Sequence, residues 1–246
     1  ERRSTDERIT VEALQQIVLN EETTCFSTVV FHPSWHKGVI GIVASRLIET
    51  YYRPTVVLTE SEGVLSGSVR SVSGFDVYQA LEACSEFMIQ FGGHKYAAGL
   101  TLKPEQLTGF KQCFEAYAEA HLLPEQLQPT YSYDLELQFD ALTPKLYRII
   151  NQMAPFGPKN MRPVFVTHLC KDAGGTRAVG KENNHLKLEI IDAAGIPFQG
   201  IAFGMAQYLI QIKNQQSFSL LYTLEENEYN GIAFLQLKVK DLVFTP

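Results

Sequence analysis

The sequence predicts an α/β domain followed by a mostly-β domain. Two patterns and the break between them carry this reading. Strand-like and helix-like segments alternate as far as residue 121. A Leu-Leu-Pro-Glu-Gln stretch running on to Pro129 then interrupts them. From residue 131, strand-like runs follow one another with one or two short helices.

The opening segment, residues 10–19, places Val11, Leu14, Ile17 and Val18 at helical spacing behind a charged lead-in, so the chain starts on an amphipathic helix. Residues 25–31 are β-branched and aromatic and read as a strand that His32-Pro33 ends. Ile40, Val43, Ala44, Leu47 and Ile48 give residues 39–52 the apolar face of a helix. Residues 54–59 and 64–69 read as strands. Residues 77–91 read as a helix stopped by Gly92-Gly93, residues 99–102 as a short strand, and residues 104–121 as a helix opened by Pro104. In the second half, residues 131–137 alternate like a strand and residues 143–153 form a helix capped by Thr143. Strand-like runs follow at 164–169, 186–191, 197–203, 218–224 and 232–243. About five strands with little helix predict a small β-barrel, for which the OB-fold is one candidate.

Composition bounds the function. Hydrophobic residues make up 45% of the 246 and charged residues 20%, which suits a soluble, core-forming protein. No apolar run reaches the roughly 20 residues that cross a bilayer, and the polar N-terminus is not a signal peptide; a cytoplasmic protein without membrane contact is expected. Cys25, Cys84, Cys113 and Cys170 form no Cys-x-x-Cys pair, so buried free thiols are expected rather than a zinc site or a disulfide framework. The net charge of −6 argues against nucleic acid as a partner, but residues 151–187 carry Lys159, Arg162, Lys171, Arg177, Lys181 and Lys187 against only Asp172 and Glu182. A solvated basic face is the competing reading of that stretch.

Four motifs offer chemistry. Ser66-Gly67-Ser68-Val69-Arg70-Ser71 supplies hydroxyls, a glycine and a forked cation suited to a phosphate-binding turn; a strand and turn with an exposed Arg70 is the alternative. Phe91-Gly92-Gly93-His94-Lys95 lets the backbone approach a ligand while His94 and Lys95 face it, and a helix-capping glycine pair is the alternative. His32 and His36 have a metal-like spacing, but Pro33 and the lack of an acidic partner leave a loop around a buried Trp35 as the better reading. Phe156, Lys159 and Arg162 lie in a Pro- and Gly-rich loop that can stack a base and bind phosphate, or serve as a rigid connection. The Asp residues are scattered, and a two-metal hydrolytic site is not expected in this chain.

In order and spacing, His36-Lys37-Gly38-Val39-Ile40-Gly41-Ile42-Val43-Ala44-Ser45-Arg46-Leu47, then Ser66 to Ser71, then Phe91-Gly92-Gly93-His94 with Ala97-Ala98-Gly99, resemble the DHHA1 domain of RecJ exonucleases. Pro155-Phe156-Gly157 with Asn160 and Pro163, and His185-Leu186-Lys187, resemble the OB-like domain that follows it in that family. The resemblance implies a connector helix at 1–21, a DHHA1 domain at 22–123 and an OB-like domain at 125–246. It implies the C-terminal part of an enzyme that degrades single-stranded DNA from the 5′ end in repair and recombination. Mn2+ or Mg2+ would sit in a DHH domain outside this chain, with no cofactor held by the chain itself and no cleavage by it alone. By position, Ser68, Arg70, Gly92 and Gly93 would hold the 5′ phosphate and His94 would be catalytic. Lys95, Phe156, Lys159, Arg162 and Lys187 would bind the strand. Partners would be single-stranded DNA, a single-strand-binding protein and repair helicases. A phosphoesterase of the DHH family acting on short oligonucleotides, and a module that only binds single strands, are the alternatives.

Overall fold

The computed structural model describes residues 2–229 and 231–245; the terminal positions 1 and 246 of the expected domains lie outside them. The chain divides into two compact units, Glu1–Thr130 and Tyr131–Pro246.

The first unit opens on helix α1 (Arg2–Leu19) and continues through β1 (Thr28–Phe31), α2 (Ile40–Thr50), β2 (Thr55–Ser61), β3 (Val64–Arg70), α3 (Val77–Ala83), β4 (Gln90–His94), β5 (Ala97–Leu102) and α4 (Leu107–His121). Its sheet runs β1-β2-β3-β5-β4, parallel between β1 and β2 and antiparallel elsewhere. Strand alternation decides which side chains reach which face. Val56, Leu58, Leu65, Val69, Ala98, Leu100 and Leu102 point to one side and pack against Val77, Ala80 and Leu81 of α3 and Phe110, Phe114 and Ala118 of α4. On the other side, Val30 and Val57 pack beneath Ile40, Val43, Ala44 and Leu47 of α2, which is backed by Ile9, Ala13 and Ile17 of α1. That second layer covers β1 and β2, reaches β3 through Gly41 of α2, and leaves β5 and β4 open. The buried Asp6 of α1 pairs with Arg46 of α2 at 2.9 Å, and Trp35 donates its indole N–H to Glu12 at 2.9 Å, which lowers the pKa of that carboxyl.

Three expectations fail in this unit. The strand expected from residue 25 begins at Thr28, because the amides of Phe26 and Ser27 donate to the Glu115 carboxylate of α4 instead of to a neighbouring strand. The helix expected over 77–91 ends at Ala83, and Gly92-Gly93 do not cap it. They lie inside β4, whose five residues all pair with β5, so a ladder formed with a later segment outweighs local helix preference. The expected free thiols are free only at Cys25 and Cys170, since Cys84 and Cys113 form a disulfide joining the end of α3 to α4. Helical spacing brings Cys113 onto the face of α4 that packs on α3, a proximity no Cys-x-x-Cys count detects.

The second unit carries β6 (Leu135–Glu136), α5 (Pro144–Gln152), β7 (Phe165–Asp172), β8 (Arg177–Val179), β9 (His185–Ile191), β10 (Pro197–Ala202), α6 (Leu209–Lys213), β11 (Phe218–Tyr229) and β12 (Ile232–Phe244). The strand order is β6-β7-β11-β12-β10-β9-β8, and β7 also pairs with β9 through Lys171↔Ile191 and Asp172↔Ile190. That last pairing closes β7, β11, β12, β10 and β9 into a five-stranded OB-like barrel, which removes their free edges. Cys170, Leu188, Ile190, Phe218, Leu220, Tyr222 and Leu237 fill it. The Tyr222 hydroxyl, the polar tip of a buried ring, meets Thr167 Oγ1 at 2.9 Å, and burial pushes its pKa up. Thr143 caps α5 by accepting from the Leu146 amide, as its sequence position predicts. The expected strand over 131–137 shrinks to Leu135–Glu136. Buried Asp192 ties the barrel mouth by accepting from the amides of Phe139, Ala194 and Ile196.

Candidate nucleic-acid interface

The open half of the first sheet is built by period-two alternation. Ser66, Ser68 and Arg70 of β3 project to one face, away from Leu65 and Val69. Antiparallel register continues that face across the sheet. Ser68 lies opposite Gly99, which lies opposite Gly92; Arg70 lies opposite Ala97, which lies opposite His94; Ser66 lies opposite Thr101, which lies opposite Gln90. The face is therefore small and polar, with glycine and alanine where bulk would fill it. The loop before α2 and the first turn of that helix form its wall. Together they enclose a cleft of about 580 Å³ lined by Lys37, Gly38, Gly41, Ser66, Ser68, Gly92, Gly99 and Thr101 among others.

Arg70 is held in place. Its Nη1 donates to Ser68 Oγ at 3.1 Å and to the Val69 carbonyl at 2.8 Å, which leaves Nη2 and Nε as an adjacent pair of donors. Gly41 makes room for it: a Cβ there would lie 2.9 Å from Nη2 and 3.1 Å from Ser68 Oγ. Ser68 and Arg70 thus meet, and Gly92 shares their face two strands away, but the phosphate-binding turn expected at 66–71 is a strand up to Arg70. The two glycines separate. Gly92 lies on the open face with free space above it, while Gly93 lies on the opposite face at φ +150, where a Cβ would collide with the Ala97 carbonyl oxygen at 2.4 Å. Gly93 is therefore required by the hairpin backbone and does not line the cleft.

His94 shares the row of Arg70, two strands and roughly 10 Å away. Its Nδ1 accepts the Tyr96 amide at 3.2 Å, so the proton of the neutral ring sits on Nε2. Lys95, in the hairpin beside it, stacks over the Tyr96 ring at 4.6 Å, and its contact with that side chain raises its pKa. His32 and His36 turn inward on their own loop, accepting from the Ser34 and Gly38 amides. Among the described residues, no three His, Cys, Asp or Glu side chains gather to hold a metal ion.

The candidates of the second unit do not form one cluster. Phe156 carries the Arg162 guanidinium on its ring at 4.5 Å, and Arg162 also donates to Asn151 Oδ1 at 3.3 Å. Lys159 is exposed at φ +70 in a tight turn closed by paired Gly157 and Asn160. Lys187 lies elsewhere, on the outer face of β9 opposite Arg177 of β8. The reading from sequence included Ser66 in its phosphate motif but gave no binding role to Lys37, Gly41, Gln90 and Thr101. The signal for Gln90 and Thr101 was the alternation Gln90-x-Gly92-x-His94 and Ala97-x-Gly99-x-Thr101.

Comparison with known proteins agrees with this division. Residues 22–120 match the DHHA1 domain and residues 133–241 the RecJ OB domain. The single-stranded-DNA-specific exonuclease RecJ of Bacillus subtilis is 30% identical over 244 residues, which is 98% of this chain and 30% of that protein. The same-named protein of Dickeya dadantii is 32% identical over 250 residues, covering 98% of this chain and 43% of its own length. The chain thus spans less than half the length of these relatives. A crystal structure of RecJ from Thermus thermophilus in complex with Mn2+ superposes over 100% of this chain and 34% of its own, with a TM-score of 0.80 and 26% identity. A second, with Mg2+, gives 0.79 and 25%. No helix among the described residues is long and apolar enough to cross a membrane.

Proposed function

The chain belongs to the RecJ family, and on that footing we propose that it is the substrate-holding part of a 5′-to-3′ single-strand-specific DNA exonuclease acting in cytoplasmic DNA repair and recombination. The observation that carries this reading is the polar face that Ser68, Arg70, Gly92 and His94 share, with Ser68 and Arg70 against the first turn of α2. Arg70 offers Nη2 and Nε to a 5′-terminal phosphate, and Ser68 both orients it and adds a hydroxyl. A terminal phosphate carries more charge than an internal one, so this contact counts ends and reads no bases. His94 donates from Nε2 to a phosphate oxygen near the scissile bond. In this reading α1 is the connector to a DHH domain, and Mn2+ or Mg2+ bound there supplies the activated water. Among the described residues no three His, Cys, Asp or Glu side chains gather, and the part assigned to this chain in this reading is to bind, orient and exclude.

Single-strand preference rests on stacking, at about 1–3 kcal/mol per base, and on backbone contacts. Phe156, stacked under Arg162 and packed in part against the barrel core, would meet a base with what remains exposed of its ring, while Lys95, Lys159, Arg162 and Lys187 meet phosphates. A single-strand-binding protein and repair helicases are the protein partners this role calls for. The test is to incubate the chain with single-stranded and duplex oligonucleotides of equal length, with and without Mn2+. The proposal expects preferential single-strand binding and no digestion. Equal binding of duplex, or processive loss of nucleotides from the 5′ end by this chain alone, would overturn it.

A further inference from the structure

The barrel of the second unit has one weak seam. β10 runs over Pro197–Ala202 and β12 over Ile232–Phe244, yet the two pair only at Gly200↔Leu237 and Ile201↔Lys238. Over the three residues before each pairing the strands part. Pro197 to Gln199 keep their ladder with β9, and Phe234 to Gln236 keep theirs with β11, but among the described residues neither segment has a strand on its other side. Unpaired strand edges are templates for another extended chain. A pocket of about 480 Å³ opens between them, lined by Pro197, Phe198, Gln199, Phe234 and Leu235 among others. An extended residue within a sheet fills roughly 160 Å³, from a rise of about 3.3 Å, a strand spacing of about 4.8 Å and a sheet spacing of about 10 Å. The gap therefore holds about three residues of extended chain, the length of each unpaired segment.

The rim selects the occupant. Phe198, Phe234 and Leu235 are only partly buried and give the gap an apolar lining. β11 is acidic where it flanks this part of β12: Glu225 lies opposite Gln236, Glu226 opposite Leu235 and Glu228 opposite Ala233. The nearby cations are already engaged, Lys238 with Glu225 at 3.1 Å and Arg177 with Glu189 at 3.6 Å. Glu226 and Glu228 are exposed and form no ion pair among the described residues. Two spare carboxylates repel a phosphate backbone and attract a basic side chain. Strand alternation puts them on the same face as Leu235 and the small Ala233, over which a long cationic side chain can cross β12. We propose that a short extended segment of a protein partner, with apolar residues adjoining Lys or Arg, adds as a strand to the free edge of β12 in this gap. Its apolar side chains pack among Phe198, Phe234 and Leu235, and its cations reach Glu226 and Glu228. The inference does not depend on how the 5′ end of a DNA strand is held.

The probe is a capped, fluorescein-labelled peptide, Lys-Arg-Val-Ile-Val-Lys-Arg, basic at both ends so that either strand direction is served. Two controls replace its Lys and Arg by Glu, or methylate its central backbone amides. Fluorescence anisotropy with the full chain, in the absence of DNA, is expected to show saturable micromolar binding of the basic peptide and none of the acidic one. Backbone methylation removes the ladder donors and lowers affinity about tenfold or more. The double change Glu226→Lys/Glu228→Lys lowers it about tenfold through like-charge contact. Phe234→Ala lowers it about fivefold, the scale of a partly buried aromatic contact. Urea melts of both variants should match the unaltered chain, since all three residues are at least partly exposed. Absence of saturable binding at millimolar peptide would overturn the proposal. So would binding that ignores backbone methylation or the charge reversal, which would mark simple attraction to an acidic chain. If instead a single-stranded oligonucleotide displaces the peptide and Phe234→Ala weakens the oligonucleotide's own binding, the gap is a base-stacking site and the peptide assignment falls.

Discussion

Gly41→Ala separates the chemistry of the cleft from the stability of the fold. A Cβ at this position would lie 2.9 Å from Arg70 Nη2, 3.1 Å from Ser68 Oγ and 3.7 Å from Arg70 Cζ. Each of these atoms is at the mobile end of a side chain, so the helix stays in place and the guanidinium moves. Alanine is about 0.8–1.0 kcal/mol better than glycine in a helix interior and gains less in the first turn, where Gly41 sits, so stability holds or rises slightly. Binding responds in the opposite direction. An arginine–phosphate hydrogen bond contributes about 1.5–3 kcal/mol, which converts to roughly 10- to 150-fold in affinity. That range is the ceiling, reached by Arg70→Ala, and Gly41→Ala falls part of the way to it. Fluorescence anisotropy with 5′-phosphorylated and 5′-hydroxyl single strands reads the preference, and a urea melt on the same sample reads stability. Full retention of the preference would refute the claim that Arg70 must lie against Gly41. A lost preference with more than about 1 kcal/mol of destabilisation would refute the claim that the displacement is local.

Gly93→Ala forces a Cβ into the Ala97 carbonyl and the Ala98 backbone at φ +150, and is expected to cost about 2 kcal/mol or more, whereas Gly92→Ala meets no atom within 4 Å and stays within about 0.5 kcal/mol; urea melts of the two variants check the contrast. Asp172 is buried against Lys213 Nζ at 3.0 Å; burial raises its pKa, but the bonds from Thr176 and Lys213 outweigh that and leave it lowered. A lowered folded pKa means this stabilisation is complete above the ordinary aspartate value of about 3.9 and is lost as pH falls through the folded value, so Asp172→Asn flattens the acid limb of stability against pH. Thiol titration of the unreduced, denatured chain is expected to find Cys25 and Cys170 only, with Cys84 and Cys113 appearing after reduction. In the native chain Cys170, whose pKa burial pushes up to about 12, does not react at pH 8.

Much of this was legible where the signal is local. Thr143-Pro144 announced α5, and the apolar period of 39–52 announced α2, because caps and periodicity lie within a few residues of what they determine. Ser68, Arg70 and Gly92 were legible as a phosphate motif. Their arrangement was not, since Gly92 reaches Ser68 only through β5, which follows β4 in the chain but lies between β4 and β3. The same non-local pairing turned an expected helix cap at Gly92-Gly93 into a strand. Barrel closure through Lys171↔Ile191 and the Cys84–Cys113 bond likewise depend on contacts between distant segments. Lys37 carried no signal of its own, and only the position of α2 over the sheet brings it to the cleft.

The central claim is that this chain holds the 5′-terminal phosphate of a single strand with Ser68 and Arg70. It is tested most directly by the affinity of the chain for one single-stranded oligonucleotide carrying either a 5′ phosphate or a 5′ hydroxyl, before and after Arg70→Ala. The account predicts tighter binding of the phosphorylated strand by about 10-fold or more, and no difference between the two strands for Arg70→Ala. Equal affinity of the unaltered chain for both strands, or a phosphate preference that survives Arg70→Ala, would contradict it.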